Sequence, residues 1–200
     1  MGRIKYIKQI REFLKKTPVA TLGDINMVVR NKPYSYLLAN NMIKRGELNR
    51  IKKGFYSLHD DPTLAVFCYR PAYLGLNEAL SIHNLWEQET VTIIVTAQKV
   101  KHRKIMVFEN KVFLHRIKPK YLFGFEMVKY GDFFVPVSDI EKTFIDFVYF
   151  KQYLDKETIK EFRKRIDREK LKEYLKPYPP LLSKRVLTLL EGRRRNKLSH

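Results

Sequence analysis

The sequence predicts an α+β protein: an N-terminal winged helix-turn-helix, then a mixed α+β domain with a helical C-terminal part. Three observations predict it. The stretch PYSYLLANNMIKRGELNRIKKGFYSL, Pro33 to Leu58, reads as a helix, a glycine stop and a short basic hairpin. From Pro62 the pattern changes to short apolar and alternating stretches, among them the β-branched run VTIIVTA at Val91 to Ala97. The charge is also segregated. Residues 1–58 hold 13 Lys and Arg against 3 Asp and Glu, residues 59–150 hold 11 of each, and residues 151–200 hold 16 against 7. A neutral, aromatic middle between two basic ends suggests modules with different partners, divided here as 1–58 and 59–200. The overall charge of +19 suits a polyanion.

The first module is justified element by element. Ile4 to Lys16 is amphipathic, with Ile7, Ile10, Phe13 and Leu14 on one face, and Pro18 ends it. Thr21 and Asp24 have capping-box spacing ahead of a short helix carrying Leu22, Ile25, Val28 and Val29. In the third helix, Ser35, Leu38, Ala39, Met42 and Ile43 share one face. Leu37, Asn40, Asn41 and Lys44 share the other, with Tyr34 at its edge. Gly46 sits where a helix end wants a left-handed residue. Leu48, Ile51 and Tyr56 then alternate with Asn49, Arg50, Lys52 and Lys53, and Gly54 turns the chain. A helix followed by a basic hairpin matches a recognition helix and wing. The expected DNA-contacting residues are Tyr34, Ser35, Asn40, Asn41, Lys44, Arg45, Arg50, Lys52 and Lys53. An asparagine amide pairs bidentately with adenine, whereas the hairpin cations would meet phosphates, which position without specifying sequence.

His59-Asp60-Asp61-Pro62 marks the boundary. TLAVFCYR after it fits helix or strand. Tyr73 to Leu85 has helical periodicity, and Lys104 to Ile117 reads as a hairpin turning at Glu109-Asn110-Lys111. Phe123 to Val137 alternates around Gly131 and Asp132. Ser138 to Phe150 reads as a helix with Ser138 as N-cap and Glu141 at the capping-box position. Lys156 to Lys176 reads as one helix broken by Pro177, Pro179 and Pro180, with a last helix at Leu181 to Leu190 and a basic tail at Arg193 to Lys197. Arg163, Lys164, Arg165 and Arg168 form a candidate second nucleic-acid surface, with RNA as its partner, although their spacing spreads them around the helix.

Enzyme chemistry is not expected. The chain has no glycine-rich phosphate loop, CxxC pair, HExxH or GxSxG. His83 falls on an apolar helix side, and Asp139, Glu141 and Asp146 do not converge on one site. No cofactor or metal is expected, because no further ligand is spaced to complete a shell around His59, Asp60 and Asp61. Cys68 is the single cysteine, so an internal disulfide is impossible, which fits a reducing cytoplasm. Lys5, Lys8 and Arg11 interrupt any signal-peptide core, and no stretch has the length of a membrane helix.

The segment NNMIKRGELNRIKKGFYSL, with its "RG" and "RIxxGxY" pattern, resembles the recognition helix and wing of AbiEi-type antitoxins, the transcriptional regulators of phage-defence operons. AYLGLNEALSIHNL and VTIIVTA resemble the next segments of that family. VPVSDIEKTFIDFV, with Ser138, Glu141, Thr143 and Asp146, resembles its following helix start. The resemblance covers most of residues 20–150 and does not extend to the lysine-rich C-terminal fifty. It implies an antiviral-defence toxin–antitoxin protein in which the winged helix binds operator inverted repeats in double-stranded DNA as an autorepressor. It also implies that the second module counteracts a nucleotidyltransferase toxin, without implying a stable complex with it.

Overall fold

The computed structural model describes residues 2–85 and 91–192. The basic run Arg193 to Lys197 lies outside them. The chain is α+β and carries two separate sheets.

Three helices and a small sheet form the N-terminal unit. These are α1 (Gly2–Lys16), α2 (Leu22–Val29) and α3 (Lys32–Lys44), with β1 (Ala20–Thr21), β2 (Asn49–Lys52) and β3 (Phe55–Ser57) paired antiparallel in the order β1-β3-β2. The Thr21 capping box forms as expected. Thr21 Oγ1 accepts from the Asp24 N–H at 3.1 Å, and the Asp24 carboxylate accepts from the Thr21 N–H at 2.7 Å. Past α3, Gly46 takes a φ of +68°, which a side chain would resist. Ile10, Leu14, Ile25, Val29, Leu38, Met42, Leu48 and Tyr56 close one core. The sequence does not predict strand β1, because two residues carry no readable periodicity.

The second unit is built on a mixed six-stranded sheet. Its strands are β4 (Ala72–Leu74), β5 (Thr92–Thr96), β6 (Lys104–Val107), β7 (Asn110–Arg116), β8 (Phe125–Tyr130) and β9 (Phe133–Ser138), in the order β6-β7-β5-β4-β9-β8. The β5–β7 and β4–β9 pairs are parallel and the others antiparallel. Alternation along the strands splits the core in two. Leu74, Ile94 and Leu114 face a 3-10 helix at Pro62–Tyr69, whereas Tyr73 and Val95 face helices. After the short α4 (Asn77–Ile82), those helices are α5 (Ile140–Tyr149), α6 (Lys156–Arg165), α7 (Arg168–Leu175) and α8 (Pro180–Glu191). The two units interlock at β2. Ile51 packs in the cluster of the 3-10 helix, which Phe55 of β3 also meets, and Lys52 Nζ lies 4.2 Å from the centre of the Tyr69 ring.

Several expected elements differ in detail, each for a local reason. TLAVFCYR is neither α-helix nor strand but the 3-10 helix, and Asp61 is its cap, accepting from the Thr63 N–H at 2.8 Å. Tyr73 to Leu85 is helical only from Asn77. Its first residues complete β4, and Leu76 enters a positive φ of 56° before α4 begins. The β6–β7 turn lies one residue earlier than expected, at Phe108-Glu109 with φ of 48° and 64°. Two left-handed residues in a row match the twist of the flanking strands, and Asn110 Nδ2 donates to the Phe108 carbonyl at 2.8 Å. Ser138 ends β9 instead of capping α5. Asp139 is the N-cap, accepting from the Lys142 N–H at 2.8 Å, so Glu141 is released from capping its own helix. It accepts instead from the Asp167 N–H at 2.9 Å and pairs with Lys170 at 2.9 Å. Lys156 to Lys176 is two helices, because Ile166 is extended and Asp167 starts α7 by accepting from the N–H groups of Glu169 and Lys170.

At the centre of the helical face, α5 buries a charged pair. Lys142 and Asp146 are both fully buried, one helical turn apart, and ion-paired. Tyr73 of β4 donates its hydroxyl to the same carboxylate at 2.6 Å. The Lys142 ammonium also lies 5.3 Å and 5.7 Å from the ring centres of Tyr73 and Phe123. Burial pushes the Lys142 pKa down and the Asp146 pKa up, and each partner's opposite charge resists the shift. Gly124 covers this pair at a φ of +68°, where a Cβ would stand 2.7 Å from the Tyr174 ring and 2.9 Å from Lys142 Cβ.

Removing one member of a buried pair strands the other. Asp146→Ala is expected to cost roughly 3–5 kcal/mol in urea unfolding, and the double replacement K142M/D146L far less. A double variant as unstable as the single would show that packing, not stranded charge, dominates. His115 supplies a pH prediction. Burial, then the neighbouring Arg103, holds its pKa below the ordinary 6.5. As pH falls through 6.5 the unfolded chain takes up the proton first, so stability drops there. The urea midpoint of His115→Gln should fall less than wild type between pH 7.5 and 5.5, on the order of one pH unit either side of that pKa.

Candidate nucleic-acid interface

The outward face of α2, α3 and the β2–β3 hairpin follows from how α2 meets α3. Only Arg30 and Asn31 separate the helices. Arg30 ends α2 at a left-handed φ of 58°, and Asn31 caps α3 by accepting from the Tyr34 N–H at 3.0 Å. Ser35 then fixes the angle. Its hydroxyl donates to the Asn31 carbonyl at 2.7 Å and lies 3.4 Å from Asn26 Oδ1 of α2. Ser35 is fully buried, which takes it off the surface expected to contact DNA. Its spacing from Leu38, Ala39 and Met42 puts it on the inner face, where its hydroxyl serves the helix junction.

The remaining predicted residues lie on or near the outer surface, but several have internal partners. Tyr34 is half-buried and meets Tyr6 of α1 edge-on at 6.1 Å. Asn40 and Asn41 are half-buried, and Lys44, Arg45, Arg50, Lys52 and Lys53 are exposed. Arg50 Nη2 of β2 donates to Asn40 Oδ1 at 2.8 Å. That bond bridges hairpin and helix, and it occupies the oxygen that a bidentate adenine contact would need. Arg45 and Arg11 flank Glu47 at 3.5 Å and 3.3 Å. Lys52 packs over Tyr69, so its ammonium is held at the junction of the two units. The three acids of this unit are all engaged: Asp24 in its cap, Glu12 with Lys15, and Glu47 between two arginines. The outward charge is therefore cationic.

Sequence reasoning passes over some of this surface. Arg30 and Lys32 flank the Asn31 cap and are exposed, a signal visible as "RNK". Met27 and Tyr36 are more than half exposed, at 67% and 55%, and with Leu37, already expected on the outer face, they add an apolar component among the cations. The exposed run Lys99, Lys101, His102, Arg103 and Lys104 belongs to the second unit, where an even charge balance conceals it.

The four C-terminal cations of the candidate second surface are exposed, and three of them have partners within the protein. Arg163 donates Nε and Nη2 to the carbonyls of Leu190 and Leu189, closing the end of α8. Arg165 donates to the His83 carbonyl at 2.7 Å, and Lys164 pairs with Glu161 at 2.6 Å. Arg168 is exposed one helix further on. His83 itself is half-buried and places Nε2 2.7 Å from the Ser138 carbonyl, which requires the Nε2–H tautomer. The thiol of Cys68 is buried and its pKa pushed up to about 12, which makes it unreactive. Among the described residues no group of three or more His, Cys, Asp or Glu is placed to hold a metal ion, and no helix is long and apolar enough to cross a membrane.

No family model matches the chain, and no curated protein matches it. Among solved structures it is similar to the crystal structure of RV2827C protein from Mycobacterium tuberculosis. The TM-score is 0.60 at 13% identity, covering 94% of this chain and 77% of that one. At that identity the likeness shows a shared fold alone.

Ser35→Ala removes the hydroxyl that joins Asn31 to α3 and should cost about 1 kcal/mol of stability by urea unfolding. No loss would mean that packing alone sets the α2–α3 angle.

Proposed function

We propose that this protein is a DNA-binding transcriptional autorepressor of a phage-defence operon that also serves as the antitoxin to a nucleotidyltransferase toxin. In this reading the N-terminal unit is a winged helix-turn-helix, α3 is its recognition helix and the β2–β3 hairpin its wing. One observation carries the DNA-binding part: α3 and the hairpin are locked together by the Arg50–Asn40 bond, on a face whose cations have no free carboxylate to neutralise them. Such a face attracts phosphate by counterion release and sets an exposed helix against the groove. The antitoxin part rests on the sequence resemblance.

Arg50 is a better candidate for phosphate contact than for base readout, since Asn40 holds its guanidinium against the helix. Asn41 is the better candidate of the two asparagines for a base edge, because the Asn40 oxygen already accepts from Arg50. Replacing Arg50, Lys52 and Lys53 together with alanine should weaken binding to all duplexes alike. It should also lower the log–log salt slope by roughly 0.9 for each phosphate that is no longer neutralised. An unchanged slope would overturn the wing assignment. Asn41→Ala should relax operator preference more than it weakens binding to random duplex. An equal loss on both would show that Asn41 acts through phosphates or the fold.

Antitoxin action is tested in the full chain, because Ile51 and Lys52 of the hairpin pack into the second unit and a cut at 58/59 would strip them away. The Arg50, Lys52 and Lys53 variant should still rescue growth of cells expressing the cognate toxin while losing repression. Loss of both together would tie neutralisation to DNA binding.

A further inference from the structure

A cleft of about 510 Å³ lies where the hairpin meets the second unit. It falls within the roughly 300–1,000 Å³ range of small-molecule sites. Its floor is apolar and comes from both units: Ile51 of β2, Ala65 and Cys68 of the 3-10 helix, and Leu114 of β7. Its charged groups are of one sign. Lys52, Lys99 and Lys101 line it, with Gln98 and His102 beside them, and no carboxylate among the described residues does. The Tyr69 ring offers a flat wall with Lys52 already across it. An apolar floor under a cationic rim fits a ligand with one greasy part and one anionic group, and a purely polar ion would leave that floor unused.

We propose that this cleft binds a small organic anion, with an aromatic or aliphatic body on the floor and a carboxylate, sulfonate or phosphate group at the Lys99–Lys101 rim. The anionic group also reaches Lys52. In consequence, and on the proposed reading of the hairpin as a wing, the ligand competes with nucleic acid for that cation and weakens its binding. Competition of this kind is reciprocal: duplex must expel the ligand by the same factor.

The test uses the full chain and two probes, anilinonaphthalene sulfonate and its uncharged parent phenylnaphthylamine, followed by fluorescence. Wild-type protein should bind the sulfonate saturably and more tightly than the uncharged parent. Val100 is a half-buried lining residue, and Val100→Trp fills the cleft from its rim and should abolish both. The pair K99A/K101A should weaken the sulfonate about fivefold and leave the parent unchanged. The pair K104A/K111A, which removes two exposed cations that do not line the cleft, should change neither. Far-ultraviolet dichroism of each variant confirms that it is folded. Sulfonate binding that survives Val100→Trp, or that falls equally with both lysine pairs, overturns the site. Decanoate and adenosine monophosphate, added as competitors, separate an aliphatic from a nucleotide body: the one that displaces the probe identifies the class, and failure of both overturns the site's fit to a natural anion. Random-sequence duplex should release the sulfonate from wild type and not from Lys52→Ala. Duplex that binds without releasing it overturns the competition. A protein that binds no duplex at all overturns the proposed function, and the probe titrations still decide the site.

Discussion

The second unit depends on one buried ion pair. Lys142 and Asp146 sit on α5 with no access to water, and the Tyr73 hydroxyl brings β4 to the same carboxylate. Taking both charges out of water is costly, so the surroundings must be specified closely for the pair to persist. That requirement reaches several elements. Gly124 is the one residue that can close over Lys142, Phe123 and Tyr73 place rings around the ammonium, and Asp139 caps the helix that carries both charges. A second set of charges extends the arrangement outward. Glu141 accepts from the first N–H of the α7 turn, and Lys170 meets both Asp139 and Glu141. For Lys170, burial works to lower the pKa, but the two carboxylates outweigh it and raise it well above the ordinary lysine value. The carboxylates of Asp139, Glu141 and Asp146 thus hold α5, α7 and the sheet in register.

The junction at β2 constrains the N-terminal unit in a similar way. A hairpin free in solution would leave Ile51 exposed. Here Ile51 is buried against the 3-10 helix, and Lys52 is drawn over Tyr69. The hairpin is held on one side by the Arg50–Asn40 bond to α3 and on the other by the second unit's core. A rigidly seated hairpin presents its cations in a fixed geometry, which lowers the ordering cost of binding any polyanion. It also makes the seat a point through which an occupant of the neighbouring cleft could influence that surface.

How much is legible in the sequence follows from the range of each interaction. Local signals read correctly. Thr21 and Asp24 form their capping box, Gly46 ends the third helix, and the β-branched run becomes β5. Each is governed by backbone sterics or hydrogen bonds within a few residues, so the amino-acid types alone determine it. The same holds for the inner face of α3, where Ser35, Leu38, Ala39 and Met42 are buried as their spacing predicts. That serine reads as a DNA contact because its type is polar, although its spacing already places it inside.

Tertiary structure decided whatever depended on a distant partner. Glu141 has the right spacing to cap its own helix and instead serves α7, because Asp139 takes the cap and Asp167 comes within reach. Arg163 and Arg165 are cationic in sequence, but the α8 end and the His83 carbonyl claim their guanidiniums. Lys52 reads as a hairpin cation, yet only the docking of Tyr69 fixes where its ammonium stands. Charge and spacing state what a side chain is able to do. Burial and the groups that a fold brings from tens of residues away set which of those interactions it makes, since a desolvated polar group must take the partner that the packing supplies.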